Sequence, residues 1–291
     1  MKPRYETALV QEAVFQESLH NPAFRSRLRE VLEPMYELPE GEREGGLVRA
    51  YHSLFLERGL GAEVEAALAR FRELEGLEEA LVFRALRAAN EGAELSRDRC
   101  RLGLRLRVGR LSSPRPLLNH ELRHIADMLD PTFGYPRPEA LGDPIPTYGL
   151  LWDVYVDGRL TRSGLETVAS REERLRDFDR AFSFLPLEGR RACFAWLWGS
   201  EGLTHGLLEE ICLKPDKMLE RAPQAWEGER GPLPGSPCPL CAFPTFTWAD
   251  LASPHGQPLV RLVQADFPLW QVSQGICDRC AQLYQLRAGV W

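Results

Sequence analysis

The chain is 291 residues long, with a formal net charge of −6 and a pI near 5.7. Apolar residues make up 44% and charged residues 27%, an ordinary globular composition that excludes a disordered chain, a collagen-like repeat and a coiled-coil rod. The acidic balance supplies no basic field for nucleic acid or anionic lipid. At ~150 residues per domain the length fits two domains or one large one. The first residues lack the basic start, apolar stretch and small-residue cleavage site of a secretion signal. No run approaches the ~18 apolar residues of a membrane span. The expectation is a cytoplasmic protein with no membrane partner.

Residues 6–95 read as helical. Phe24, Leu28, Val31 and Met35 recur on one helix face, and Val64, Leu68 and Phe71 make a similar stripe. Asn21-Pro22 and Pro39-Glu40-Gly41 break the pattern as loops. Near residue 100 the period shortens to two. Leu102, Leu104, Leu106 and Val108 alternate with Arg101, Arg105 and Arg107, which predicts a half-buried strand. Leu118, Leu122, Ile125 and Leu129 then form a helical stripe that Pro131 ends. Residues 131–147 are proline-rich and read as a long loop. Residues 148–160 fit either a buried helix or a strand entering an Asp157-Gly158 turn. Helical patterning resumes at Ser170 and runs, with breaks, to about 220. Residues 221–237 are rich in Pro and Gly and read as a linker.

Two groups of residues carry chemistry. The first is His120-Glu121-Leu122-Arg123-His124 on the predicted helix. Residues four apart stack on one helix face, so both imidazoles can reach one metal ion. Glu121, beside that face, can act as general base toward a water on that metal. This stretch, about residues 100–130, resembles the zincin metallopeptidases, which carry His-Glu-x-x-His on a helix beside a sheet edge. The resemblance implies that His120 and His124 are zinc ligands and Glu121 the base.

The third ligand is open. Asp157 is favoured, because Asp153 and Asp157 sit four apart in an apolar run where a carboxylate needs a cation. Asp153 is the first alternative. Asp130 is another, at the spacing of a metzincin-like extension, although Asp127 stands where that pattern has Gly. Glu166 and Glu172/Glu173 are weaker candidates. Asp127, on the face of His120, can orient a ligand histidine or pair with an arginine. Tyr135, Tyr148, Tyr155 and His205 are all available as donors to a developing oxyanion.

The second group is Cys238-Pro-Leu-Cys241 with Cys277-Asp-Arg-Cys280. Two CxxC pairs make a tetrahedral four-thiolate zinc site. Leu259, Val260, Leu262, Val263, Phe267 and Trp270 between them suggest short strands, and the whole resembles a zinc ribbon. From residue 236 on, Arg261, Arg279 and Arg287 balance Asp250, Asp266 and Asp278, which argues against a nucleic-acid reader. Cys100, Cys193 and Cys212 read as small buried hydrophobes.

The fold class expected is α+β, mainly helical: a zincin-like core with a short sheet, and a small C-terminal zinc ribbon. The expected order is a helical region over 1–95, a zincin-like domain over 96–220, a linker over 221–237 and the ribbon over 238–291. The expected function is zinc-dependent hydrolysis, by a metallopeptidase acting on protein or peptide with one catalytic and one structural zinc. The alternative is a non-catalytic, zinc-stabilised binding or regulatory protein.

Overall fold

A computed structural model describes residues 2–137, 145, 147–222, 232, 235–253 and 256–288. The protein is mainly helical with one small sheet. Most of the expected linker, and part of the 131–147 loop, lie outside the described residues. Among the described residues no helix is long and apolar enough to cross a membrane. The chain divides into two compact units. The first is Met1–Asp143 with Val156–Ser170 and Glu201–Gly206; the second is Pro144–Tyr155 with Arg171–Ser200 and Leu207–Trp291.

In the first unit, strand β1 (Arg4–Tyr5) leads to helices α1 (Thr7–His20), α2 (Pro22–Tyr36), α3 (Glu40–Glu57) and α4 (Ala62–Leu68). Helices α1, α2 and α3 pack on one another. They bury Leu9, Val10 and Val14 from α1, Phe24 and Leu28 from α2, and Leu54 and Phe55 from α3. Asn21 caps α2 by accepting from the Phe24 N–H at 3.0 Å, the preferred use of Asn at a helix start. Then come β2 (Glu79–Arg84), β3 (Gly92–Leu95) and β4 (Arg101–Leu106). The region expected to be helical over residues 6–95 therefore also supplies strands β2 and β3. Strand β2 escaped the helical reading because Ala80-Leu81-Val82-Phe83 is a short apolar run without clear periodicity.

The sheet order is β1-β2-β4-β3. Strands β1 and β2, and β2 and β4, are parallel; β3 pairs antiparallel with β4. Strand β4 follows the alternation in the sequence. Leu102, Leu104 and Leu106 are buried, while Arg101 and Arg105 are exposed. The exposed Arg105 forks onto Glu94 of neighbouring β3 at 2.6 and 2.8 Å. Helix α5 (Arg115–Leu129) follows and packs against the edge strand β3. It buries Leu118, Leu122 and Ile125, the predicted stripe. Helix α6 (Tyr148–Arg162) resolves the 148–160 ambiguity in favour of helix. Its Leu151, Val154, Tyr155 and Leu160 are all buried.

In the second unit, α7 (Arg171–Ala181), α8 (Leu187–Gly199) and α10 (Asp216–Arg221) assemble around an aromatic cluster, after which the C-terminal module begins; α9 (His205–Leu213) lies between α8 and α10 in the chain. Phe178 stacks on Phe182 at 4.5 Å and meets Phe194 edge-on at 5.6 Å. The module carries α11 (Gly256–Asp266) and α12 (Asp278–Ala288), packed together. The strands expected between the CxxC pairs are not what forms there. Leu259 and Val263 are buried four residues apart, while Gln257, Arg261 and Gln264 are exposed, which is the period of α11. Extended pairing among the described residues of the module is limited to isolated bridges, Pro237 with Pro244 and Trp248 with Cys277. The module is thus a knuckle-and-helix unit rather than a ribbon. A Cβ on Gly256 would stand 2.5 Å from the Asp250 carbonyl oxygen, so only glycine lets α11 start that close to the preceding turn.

Candidate metal centres

The module core consists of Leu251, Leu259, Val263, Trp270, Ile276 and Ala281, joined by Cys238, Cys277 and Cys280. Cys238 and Cys241 lie on a tight turn in which the Ala242 N–H donates to the Cys238 carbonyl at 2.7 Å. Ala242 adopts φ 62° there. Cys277 directly precedes α12, and Cys280 is in its first turn. The sulfurs approach as Cys238···Cys280 at 3.9 Å and Cys241···Cys277 at 3.8 Å. Four thiolates at Zn–S of ~2.3 Å in a tetrahedron stand about 3.8 Å apart, so the spacing fits a shared ion and excludes disulfides. Backbone amides face the sulfurs: Cys277 N–H donates to Cys238 Sγ and Cys280 N–H to Cys277 Sγ, each at 3.4 Å. Burial raises the Cys238 thiol, but the amides of Cys277, Cys241 and Leu240 outweigh it and bring it down to about 7. Burial and neighbouring sulfurs push Cys277 and Cys280 up.

The second group is built on α5. His120 and His124, one turn apart, bring their Nε2 atoms to 3.2 Å. Two nitrogens each ~2.05 Å from a tetrahedral ion stand about 3.3 Å apart, so this pair already has the bite of a bidentate site. His120 is buried, and its other nitrogen, Nδ1, lies 2.7 Å from Oδ1 of the fully buried Asp157. With Nδ1–H donating to that carboxylate, Nε2 keeps its lone pair for a metal. Asp157, the favoured third ligand, therefore meets the histidine on the side away from His124, the position of an orienting carboxylate. Asp153 stands one turn earlier on the same helix, and its Oδ2 accepts from Arg174 Nη1 at 2.9 Å. His120, His124 and Asp153 form a group that can hold a metal ion, as do the four cysteines.

The remaining predicted residues fall as follows. Asp130 ends α5 and accepts from the Thr132 N–H and hydroxyl at 2.8 Å, a local turn bond. Asp127 is buried and ion-paired with Arg159 of α6; neither Asp127's arginine partner nor its depth follows from the sequence. Glu121 accepts from the Ala93 N–H of β3 at 2.9 Å. Gly92, just before it, has φ 152°, and a Cβ there would lie 3.3 Å from Glu121 Oε2. The carboxylate thus rests against the outer edge of β3, in space that a side chain at position 92 would crowd. Glu91, whose side chain is 4% exposed, anchors the start of that strand by accepting from Arg107 at 2.9 Å. Arg99, at φ 58° in the β3–β4 turn, donates to the Tyr135 and Pro136 carbonyls at 2.8 and 2.7 Å. Tyr135 lies edge-on to His205 at 5.2 Å, and burial raises its hydroxyl pKa against the opposing Arg99. Tyr148 stacks edge-on with Trp152, and Tyr155 is buried.

Sequence reasoning missed Gly92, Ala93, Glu91, Arg99 and Arg159. The one available signal was Asp157-Gly158-Arg159, a carboxylate and a cation two apart in an apolar helix. Compared with family models, curated proteins and solved structures, the chain matches none. The zincin likeness therefore rests on the motif and its setting.

Proposed function

We propose that the chain is a zinc-dependent hydrolase acting on peptide bonds of protein or peptide substrates, with a second, structural zinc in the four-cysteine group. The observation that carries this reading is the 3.2 Å pairing of His120 and His124 Nε2 while Asp157 occupies Nδ1 of His120. Ordinary surface histidines have no reason to be aimed at one point with one of them buried and the other half-buried. Zinc, when bound, supplies an acidified water and a Lewis-acid contact for a carbonyl. His120 and His124 hold it, with Asp153 as the proposed third ligand. Asp157 keeps His120 in the tautomer that binds. Glu121 accepts the proton of the attacking water and passes it to the leaving amine. Its bond to the Ala93 amide fixes the carboxylate beside the strand edge, and the space left by Gly92 keeps that position open. The balanced charge of the C-terminal module and the acidic chain favour a peptide substrate over nucleic acid, and cytoplasmic residence accords with the cysteine pattern.

A non-catalytic binding protein is the second reading. It is favoured by apolar side chains on the module, where Leu269 is 95% and Phe246 74% exposed. The two part at Glu121. Glu121→Gln is expected to lower turnover of an unstructured peptide mixture ~10²–10⁴-fold with both zincs retained. Wild-type protein holding both zincs and cleaving no peptide would leave the binding reading standing.

A further inference from the structure

The carboxylate that meets His120 Nδ1 at 2.7 Å stands on the one-carbon stem of Asp157. A stem that short follows its own backbone, and a hydrogen bond weakens steeply once its distance and angle drift. Whatever ties the chain around Asp157 to α5 therefore bears on the imidazole. One such tie is made by the residue directly before the histidine. Asn119 is 1% exposed, and both ends of its amide are engaged. Its Oδ1 accepts from Arg70 Nη1 at 3.0 Å, and its Nδ2 donates to the Glu166 carbonyl at 3.0 Å. A guanidinium only donates and a carbonyl only accepts. The two neighbours thus fix which way the amide faces, and a side chain limited to one role would leave one of them unanswered in a buried place.

Glu166 comes to Asn119 through the way α6 ends. The Leu165 N–H donates to the Leu160 carbonyl at 2.9 Å and the Gly164 N–H to the Thr161 carbonyl at 3.0 Å, with Gly164 at φ 69°. This is a Schellman turn, closed by the residue type that adopts a positive φ without strain. Glu166, a weak candidate ligand by sequence, contributes its backbone carbonyl here. Asp157 and Glu166, nine residues apart, therefore reach two consecutive residues of α5, His120 and Asn119. All four lie in the first compact unit.

We infer that Asn119 is a positioning residue: by holding the turn after α6 against α5, it keeps Asp157 on Nδ1 of His120 and so keeps that imidazole aimed for metal. The inference rests on the metal-site reading proposed above.

The test uses the full chain and zinc alone, competed against a chelator, with the four-cysteine site as internal reference. Asn119→Asp is isosteric, keeps an acceptor for Arg70 and deletes the donor to Glu166. It is expected to weaken the histidine-site zinc ~10-fold, leave the cysteine-site zinc unchanged and shift the visible bands of the cobalt-substituted histidine site. The decisive arm repeats the substitution on Asp157→Asn. A residue that acts through Asp157 has nothing left to position there, so the added loss should fall below ~2-fold. Equal losses in both backgrounds overturn the inference, as does a lowered Tm with wild-type zinc affinity in Asn119→Asp. If Asn119→Asp does not fold, Asn119→Ala takes its place in both backgrounds under the same expectations. Wild-type protein that binds zinc only at its cysteines sinks the metal-site reading itself, an outcome distinct from the others.

Discussion

The cysteine group takes all four donors from two short stretches of chain, Cys238–Cys241 and Cys277–Cys280, each closed by its own local turn. The histidine group takes two donors from one turn of α5, with Asp157 of α6 on His120 and the Ala93 amide of β3 on Glu121. The first is therefore complete once the knuckle and the start of α12 form. The second is oriented only when α6 brings Asp157 to His120. A four-sulfur set also leaves zinc no vacant position, whereas two imidazoles leave positions for other ligands. The first arrangement suits a structural ion, and the second suits chemistry.

The largest expected effect breaks the first half of this contrast. Cys277→Ser removes a ligand that is also part of the module core. Structural zinc contributes ~10–16 kcal/mol in small zinc domains, so the module should unfold. Near-ultraviolet dichroism of Trp270 and limited proteolysis would report it, while the histidine site of the first unit should keep its zinc. Next in size, Asp157→Asn should weaken histidine-site zinc ~10–100-fold and leave the cysteine-site zinc alone, as read by chelator competition. An unchanged affinity would mean that the carboxylate does not orient His120.

Smaller effects sharpen the role of the strand edge. Gly92→Ala places a Cβ 3.3 Å from Glu121 Oε2 at φ 152°. It should lower kcat about fivefold, equivalent to ~1 kcal/mol, without changing zinc content. The smallest effect concerns Glu91. Burial raises its pKa, but the hydrogen bonds from Arg107 and Arg110 outweigh this and hold it below its ordinary 4.5. A carboxylate depressed in the folded state contributes stability above its unfolded pKa and loses it as pH falls. Glu91→Gln should therefore lower Tm by a few degrees at pH 7, and the gap from wild type should close as pH drops below about 4.5. A pH-independent gap would refute the ionic role.

What could be read from the sequence follows the same contrast. The four cysteines, the His-x-x-x-His pair and the alternation of β4 are local patterns, and each forms as its spacing implies. The α5 stripe likewise stands where Leu118, Leu122 and Ile125 put it. Helix α11 was misread as strands because Leu259-Val260 and Leu262-Val263 look like a short apolar run, which periodicity cannot divide between helix and strand. The roles of Asp157 and Asp127 depend on how α6 lies against α5. That is a long-range fact, and neither aspartate's neighbours in the chain encode it. Glu121's hold on β3 is equally non-local, since nothing near residue 121 points to an amide 28 residues earlier.

The central claim, that paired imidazoles of α5 hold a metal apart from the four thiolates, is tested most directly by zinc content with X-ray absorption on wild-type and His120→Ala protein. The account predicts two zincs in the wild type, one with four sulfur neighbours and one with only nitrogen and oxygen neighbours. It predicts that His120→Ala loses the nitrogen–oxygen zinc alone. A single all-sulfur zinc in both proteins would contradict it.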